Sequence, residues 1–196
     1  LLIAFCTVAI GGVCGTVIGS LTGYFGGLVD EVLMRFNDSV SAFPNILLAL
    51  VCVSIFGTGK YKIILVLGVL FIPSFARIVR GEFARERSRD YVENARIMGA
   101  GPFRVMFAHI LPNVKTVLLS SVAIGFNNAV LAEAGMSFLS MGVQPPDASL
   151  GRMLAEAQGS LFTMPWYALS TGCFMVLLIL GFSLLGQGLQ EQEREL

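Results

Sequence analysis

Charged side chains are scarce in this sequence and very unevenly placed. With 13 basic and 13 acidic residues among 196, charged residues make up 13% of the chain and hydrophobic residues 55%, whereas soluble domains carry roughly 25% charged residues. Four stretches hold no charge: Leu1–Val29, Ser39–Gly59, Thr116–Ala132 and Ala157–Gln190. Each meets or approaches the ~17 to 25 apolar residues that a membrane-spanning helix needs. This composition favours a membrane protein over a soluble domain.

Residues that build metal, redox and catalytic sites are also few. His109 is the single histidine, and the four cysteines lie inside apolar stretches without the paired spacings of zinc or redox sites; they are Cys6, Cys14, Cys52 and Cys173. We interpret them as small hydrophobic residues. The sequence contains no glycine-rich phosphate loop of the GxxxxGK type. It therefore predicts no catalytic, metal or cofactor-binding residue in this chain.

The charge-free stretches predict an all-α membrane protein with five transmembrane helices. Ile63–Ala76 is short, but Lys62, Arg77 and Arg80 have stems long enough to reach the two membrane surfaces. The predicted spans cover residues 1–25, 39–58, 61–82, 114–135 and 164–188, with an external loop at 136–163. These elements form one domain over residues 1–196.

The distribution of cations predicts the orientation of these helices. If the first helix runs inward, ten of the 13 Lys and Arg residues face the cytoplasm: Arg35, Arg77, Arg80, Arg85, Arg87, Arg89, Arg96, Arg104, Lys115 and Arg194. The positive-inside rule favours this orientation and a cytoplasmic tail at Gln190–Leu196. The chain opens within an apolar run without an initiator Met or a signal-peptide pattern. We therefore expect a further helix upstream of Leu1.

Glycine and proline indicate how the predicted helices pack. Glycines recur every four residues in the first span, at Gly11, Gly15, Gly19, Gly23 and Gly27. Such a stripe lets a neighbouring backbone approach closely, so we predict a tight helix contact, with a gating role as the alternative. Pro44 and Pro73 lie at or within spans, where proline can bend a helix.

A short helix is predicted in the charged loop after the third span. Asp90 stands three residues before Glu93, which suits an N-cap and its reciprocal partner. Gly99 can take the left-handed conformation that ends a helix, and Pro102 suits the start of the next one. The prediction is a helix over residues 91–98 with Val92, Ala95 and Met98 on one side. That side could dock another protein, or the helix could be an ordinary amphipathic loop helix.

The segment Tyr91–Asn113, YVENARIMGAGPFRVMFAHILPN, closely resembles the coupling motif of binding-protein-dependent ABC importer permeases. Glu93 and Ala95 match two opening positions, Gly99 matches the glycine, and Leu111-Pro112 match its close. Asn94 replaces an Ala of the motif, and His109 stands where strict counting expects Ile. The resemblance implies ATPase coupling by nine residues: Asp90, Tyr91, Glu93, Asn94, Ala95, Gly99, Ala100, Leu111 and Pro112.

Two more blocks, Gly23–Leu50 and Glu133–Ala157, resemble the dipeptide, oligopeptide and nickel branch of these permeases, as does FSLLGQGL near the C-terminus. The resemblance implies the type I importer fold and a multi-pass location in the inner or plasma membrane. It implies as partners a second homologous permease, two cytoplasmic ATPase subunits and an external binding protein. ATP and Mg²⁺ would be bound by the ATPases, so this chain would be no enzyme. Lipid surrounds it, and no nucleic-acid partner is expected.

The resemblance also implies a role for the external loop 136–163, which would contact the binding protein and cap the pathway. Its Gln144–Asp147 turn favours a structured cap, and Trp166 suits an interfacial anchor. Glu133 is an acid at the end of a span, where ionisable groups are costly. Proton relay, cation contact and a structural hydrogen bond are all open for it. The resemblance favours a structural or gating role. Met136 and Met141 suit apolar helices as well as a metal path.

The sequence leaves open both the substrate and the class of membrane protein. Short peptides are the first expectation, and nickel, metal chelates and glutathione-like peptides are rivals that no residue separates. A secondary transporter or channel would share the spans and Glu133 but would have no reason to carry Asp90–Asn113. An intramembrane enzyme would need paired acids or clustered histidines, which the sequence lacks.

Overall fold

A computed structural model describes residues 1–194, including the side chains of residues 1–188 and 191. All regular secondary structure in that range is helical. The elements are α1 (Leu2–Phe25), α2 (Gly27–Ser41), α3 (Asn45–Phe56), α4 (Lys60–Glu86), α5 (Asp90–Ile97), α6 (Pro102–Arg104), a π-helical segment (Val105–Ile110), α7 (Leu111–Asn113), α8 (Lys115–Phe138), α9 (Leu150–Ala157), a 3₁₀ turn (Gln158–Ser160) and α10 (Pro165–Arg194). The predicted cytoplasmic tail, residues 190–196, extends beyond the described range.

Four helices within the described range are long and apolar enough to cross a membrane. They are α1, α4, α8 and the Pro165–Gly188 part of α10. Charge-free runs of this length are stable in lipid only as helices, because every backbone amide and carbonyl must find its partner within the segment. Counting the bent pair α2 and α3 as one span gives the predicted total of five.

The predicted second span, 39–58, is not a continuous helix. The chain breaks between Ser41 and Asn45, and α2 and α3 meet there at 81°. Pro44 stands immediately before α3 with φ −57° and ψ 125°. Proline has no amide hydrogen to donate, and its ring keeps the preceding residue out of the helical region, so the helix stops here. α3 is left with only 12 residues.

The glycine stripe of α1 makes the predicted close contact with a neighbouring helix, and that helix is α4. A Cβ atom on Gly15 would stand 2.5 Å from Phe75 Cβ, and one on Gly19 would stand 2.5 Å from the Ala76 carbonyl oxygen. Gly11, one turn before Gly15, and Gly23, one turn after Gly19, also have no room for a Cβ atom beside α4. The two backbones therefore approach closely because α1 presents only hydrogen atoms along this stripe.

The stripe ends before Gly27, contrary to the prediction. Gly26 and Gly27 have φ values of +64° and +55° and form the break between α1 and α2. A Cβ atom on Gly27 would meet nothing within 4 Å. The four-residue repeat continues in the sequence, but the chain has already turned away from α4.

Ion pairs hold α2 against the predicted cytoplasmic half of α4. Arg80 pairs with both carboxylate oxygens of Asp30, at 2.6 Å for Nη2 to Oδ2. Arg77 Nη2 donates to Asp38 Oδ1 at 2.9 Å. α4 itself continues past both arginines to Glu86, beyond the predicted end at residue 82.

About half of the predicted external loop is helical. α8 continues to Phe138, and α9 then packs on it so closely that a Cβ atom on Gly151 would stand 2.4 Å from Ala134 Cα. The predicted turn forms, with the Asp147 amide donating to the Gln144 carbonyl at 3.1 Å. Asp147 also pairs with Lys60 at 3.3 Å, which ties the loop to the start of α4.

Candidate coupling site

The short helix α5 forms where the sequence predicted it, with its bounds shifted by one residue. Arg89 is the N-cap, with extended backbone, and Asp90 is the first helical residue. Asp90 was predicted as the N-cap, but no side-chain capping bond forms at this terminus. Asp90 and Glu93 both lie in the first turn, where their negative charge interacts favourably with the helix dipole.

Gly99 ends α5 in the way the sequence predicted. Its φ is +86°, a left-handed conformation that costs other residues about 1–2 kcal/mol. The Gly99 amide donates to the Arg96 carbonyl at 2.9 Å, and the Ala100 amide donates to the Ala95 carbonyl at 3.0 Å. These two bonds form a Schellman motif, which satisfies carbonyls at the end of α5.

The inner face of α5 packs on the chain's own transmembrane helices. Val92 is 0% exposed and belongs to an apolar cluster that includes Tyr24 of α1 and Phe83 of α4. The guanidinium carbon of Arg96 lies 5.0 Å from the centroid of the Tyr24 ring, within the range of a cation–π interaction. α5 is therefore attached to the predicted cytoplasmic end of α1.

A second attachment joins α5 to the end of α4. Tyr91 Oη donates to Glu86 Oε2 at 2.9 Å, and Glu86 is only 8% exposed. Arg85 and Arg89 lie within 3.7 Å and 3.6 Å of the same carboxylate. Burial raises the pKa of the Tyr91 phenol above its ordinary value of 10.0, and the hydrogen bond to Glu86 raises it further.

The Tyr91→Phe substitution is expected to loosen α5 from α4, because the buried Glu86 carboxylate loses a donor. Hydrogen bonds to charged groups contribute about 1.5–3 kcal/mol, and protection of the α5 amides in hydrogen exchange should fall accordingly. In the unsubstituted protein, the contribution of Tyr91 should be complete below pH 10.0. It should be lost as the pH rises through the raised folded-state pKa.

An ultraviolet titration of the unsubstituted protein against Tyr91→Phe measures this pKa. The difference spectrum should report a phenol that ionises above pH 10.0. A titration midpoint at or below 10.0 would contradict the buried, hydrogen-bonded geometry.

The outer face of α5 is open and differs from the predicted docking face. Ile97 is 78% exposed and Met98 is 86% exposed, and Glu93 and Asn94 are exposed beside them. Val92 was predicted on the docking side but is buried in the inner cluster. Ala95 is partly buried there and also lines a cleft beside Met98. Because Val92 and Ala95 pack against other parts of the same chain, the surface left for another protein is the one that carries Ile97 and Met98.

Two clefts flank the outer face of α5. One has a volume of 740 Å³ and lies towards the ends of α1 and α4, with Arg87, Arg96 and Ile97 in its lining. The other has a volume of 460 Å³ and lies towards the π-helical segment, with Asn94, Met98 and Gly99 in its lining. The helix therefore protrudes between two clefts, a shape suited to insertion into a groove of another protein.

The predicted coupling residues do not all lie together. Tyr91, Ala95, Ala100 and Leu111 pack on the same apolar cluster, while Pro112 is exposed in α7. The π-helical segment Val105–Ile110 between them was not predicted. Its buried residues, Val105, Met106 and Ile110, form part of that cluster. The hydrophobic pattern of these residues could have predicted their burial. The hydrogen-bond pattern of a π-helix has no distinct sequence signature.

Glu133 lies at the other end of α8, about 27 Å along the helix from Lys115. Its Oε1 accepts a hydrogen bond from Ser137 Oγ at 2.6 Å. Ser137 Oγ in turn accepts from the Val143 amide at 3.1 Å and from Ser149 Oγ at 3.3 Å. Ser149 is the N-cap of α9. Glu133 is therefore the inner end of a hydrogen-bond chain that fixes the outer cap.

The Glu133→Gln substitution is expected to leave thermal stability and transport almost unchanged. A glutamine carbonyl can still accept from Ser137, so the chain to α9 is preserved. Ser137→Ala should instead lower the free energy of unfolding by about 1 kcal/mol or more, measured as a fall in the thermal midpoint. A large loss of transport in Glu133→Gln alone would point to a proton or cation role.

Residues 15–192 match the family described as "Binding-protein-dependent transport system inner membrane component". The chain belongs to this family. It is thus a membrane-embedded permease component of a transport system.

This permease is similar in sequence to several named transport proteins. It is 38% identical over 177 residues to the dipeptide transport system permease protein DppC of Haemophilus influenzae, covering 90% of this chain and 60% of the relative. It is 36% identical to the glutathione transport system permease protein GsiD of Pectobacterium atrosepticum, covering 94% and 62%. The di/tripeptide permease DppC of Pseudomonas aeruginosa is 34% identical, with 97% and 63% covered. The chain thus spans about three fifths of these relatives' lengths.

A solved structure titled "Inward facing conformations of the MetNI methionine ABC transporter" has the same fold as this permease. The TM-score is 0.78 at 20% identity, with 95% of this chain and 89% of the other covered. This likeness establishes the fold as that of a type I ABC importer transmembrane domain.

Proposed function

We propose that this permease forms half of the translocation pathway of an ATP-driven importer for short peptides. The observation that carries the proposal is the geometry of α5. On its inner side Val92, Arg96 and Tyr91 fasten it to α1 and α4. On its outer side Ile97 and Met98 are exposed between two clefts. A helix held rigidly on one side and open on the other is suited to receive force from a separate subunit.

The proposed partners follow from this arrangement. Two ATPase subunits bind ATP and Mg²⁺ on the cytoplasmic side, and one of them holds α5 in a groove. A second, homologous permease subunit supplies the other half of the pathway, and an external binding protein delivers the peptide near α9. This chain then binds no nucleotide and catalyses no reaction.

Force on α5 would reach the pathway through α1 and α4. Tyr24 of α1 and Glu86 of α4 are the points where α5 attaches. Because the stripe Gly11–Gly23 packs directly on α4, these two helices resist sliding past one another and move as one body. When ATP binding closes the ATPase pair, the α5 helices approach each other and the pathway opens outward. Hydrolysis restores the inward-facing state.

The names of the relatives support short peptides as the substrate. The three cited relatives are named for dipeptides, di/tripeptides and glutathione, which is itself a tripeptide. Nickel gains no comparable support, because none of the three cited relatives is named for it.

Reconstitution of the complete transporter into proteoliposomes tests the proposal. The full-length permease, its second permease, both ATPases and the binding protein should accumulate a radiolabelled dipeptide when ATP is supplied. Accumulation should persist after a protonophore collapses the ion gradients, and it should stop in an ATPase variant that binds ATP without hydrolysing it. Transport by the permeases without any ATPase would overturn the proposal in favour of a secondary transporter or channel.

A further inference from the structure

Helix α3 is too short to cross the membrane, so its N-terminal end lies inside it. Its 12 residues span about 18 Å, whereas the hydrocarbon core is about 30 Å thick. Its C-terminal end, Phe56, is joined by a short turn to the start of α4 at Lys60, so both lie at the predicted external surface. Asn45, at the other end of α3, therefore lies near the middle of the bilayer.

Two more polar residues occur at a similar depth on neighbouring helices. The helical rise puts Ser74 about 21 Å from the outer end of α4 and Asn128 about 15 Å from that of α8. Asn45, Ser74 and Asn128 line one cavity of 320 Å³, together with Ser121, Phe75 and Ile124 among others. We call Asn45, Ser74 and Asn128 the polar wall.

The side chains of the polar wall have no partner within the part of the chain that the structure describes. Ser121 Oγ, beside them, donates to the Val117 carbonyl at 2.6 Å. Asn45, Ser74 and Asn128 are instead exposed and make no side-chain hydrogen bond to the described residues. An amide or hydroxyl without a partner in hydrocarbon costs at least about 2 kcal/mol, so three such groups would not face lipid.

The exposed face of α10 provides the contrast. At a comparable depth it presents large apolar side chains, namely Phe174, Val176, Leu177 and Leu180. Such a face is compatible with lipid. The polar wall therefore suits water or another polar surface, whereas the exposed face of α10 suits lipid.

We propose that the polar wall lines the water-filled pathway of this subunit and that its side chains form hydrogen bonds with the amide groups of the passing peptide. The inference rests on the proposed function. Every lining residue of the cavity is uncharged, so it offers neutral donors and acceptors. Such groups recognise the peptide backbone, which all short peptides share, without selecting for the charge of a side chain.

Cysteine accessibility in the complete reconstituted transporter tests this inference. The four native cysteines are replaced by alanine, and Ser74→Cys, Asn128→Cys or the matched control Leu177→Cys is introduced. Serine and cysteine differ little in size, so Ser74→Cys should preserve the fold. A charged, membrane-impermeant thiol reagent should label the two wall positions at least about tenfold faster than Leu177→Cys. The reactive thiolate forms in water but not in hydrocarbon.

Peptide protection is the second measurement. A dipeptide at saturating concentration, with the binding protein and ATP present, should slow labelling at both wall positions and leave Leu177→Cys unchanged. If the cysteine-free parent imports the dipeptide while neither wall cysteine is labelled, the wall faces protein or lipid. This inference then fails while the proposed function stands. Labelling without protection would overturn the peptide contact. If the unsubstituted transporter imports no peptide under ATP, the proposed function fails, and the peptide contact fails with it.

Discussion

Replacing Gly99 with tryptophan is expected to cut ATP-driven uptake at least about tenfold while the transmembrane helices stay inserted. Gly99 has a φ of +86°, and forcing a larger residue into that conformation costs about 1–2 kcal/mol. A cost of about 1.4 kcal/mol corresponds to a tenfold change in an equilibrium constant. A Cβ atom there would meet nothing within 4 Å, so the helix bundle itself has no reason to distort. The bulk instead projects beside Met98, on the face open to a partner.

The measurement pairs uptake with ATP hydrolysis in the same proteoliposomes. Hydrolysis should continue in Gly99→Trp while uptake falls, because the ATPases lose their mechanical contact but keep their own active sites. Full uptake in Gly99→Trp would refute the docking of α5.

Gly101 provides a matched control for backbone conformation. It lies two residues further along, with φ −67° and open space at its Cβ position. Gly101→Ala should therefore be neutral. Gly99→Ala, with the same added methyl group, should weaken the end of α5. Equal effects of the two alanine substitutions would mean that the left-handed conformation at Gly99 is unimportant.

Gly15→Ala is expected to cause a large loss of stability. Its Cβ atom would lie 2.5 Å from Phe75 Cβ and 2.9 Å from the Ile72 carbonyl oxygen, so α1 and α4 would have to separate. Overpacking of this kind costs about 1–3 kcal/mol. The thermal midpoint of the purified complex, followed by fluorescence-detected size exclusion after heating, should fall by roughly 2 to 12 °C.

Gly12 is the matched control for this effect. It lies on α1 within one turn of Gly15, but a Cβ atom there would stand 3.9 Å from its nearest neighbour, the Phe75 ring, which is ordinary van der Waals contact. Gly12→Ala should therefore preserve the midpoint. A similar fall in Gly12→Ala would show that general helix effects, and not close packing on α4, account for the loss.

Sequence reasoning located α5 well because its boundaries are local. The left-handed backbone at Gly99 and the proline at position 102 act on their immediate neighbours, and the helix they delimit formed within one residue of its predicted bounds. The open face of α5 was assigned only in part, because Met98 is exposed as predicted but Val92 is buried. An apolar stripe containing Val92 indicates that some partner exists, but it does not tell whether that partner is another protein or the chain's own Tyr24 and Phe83.

The second predicted span is broken where a continuous helix was predicted, for a related reason. Hydropathy over residues 39–58 shows only that the segment avoids water. Pro44 was recognised as a possible bend, but the 81° angle depends on how α2 and α3 pack on α4. The pairing of Asp30 with Arg80 and of Asp38 with Arg77 joins residues far apart in the chain.

By itself the sequence determined that this protein is a helical membrane permease, where its apolar helices lie, and which glycines allow α1 to approach a neighbour. These features follow from the solvent that each segment tolerates and from local backbone preferences. Only the tertiary structure decided that α4 is that neighbour, that Ile97 is exposed on α5 while Val92 is buried, and that Asn45, Ser74 and Asn128 share a cavity. These depend on contacts between distant segments, which no local pattern encodes.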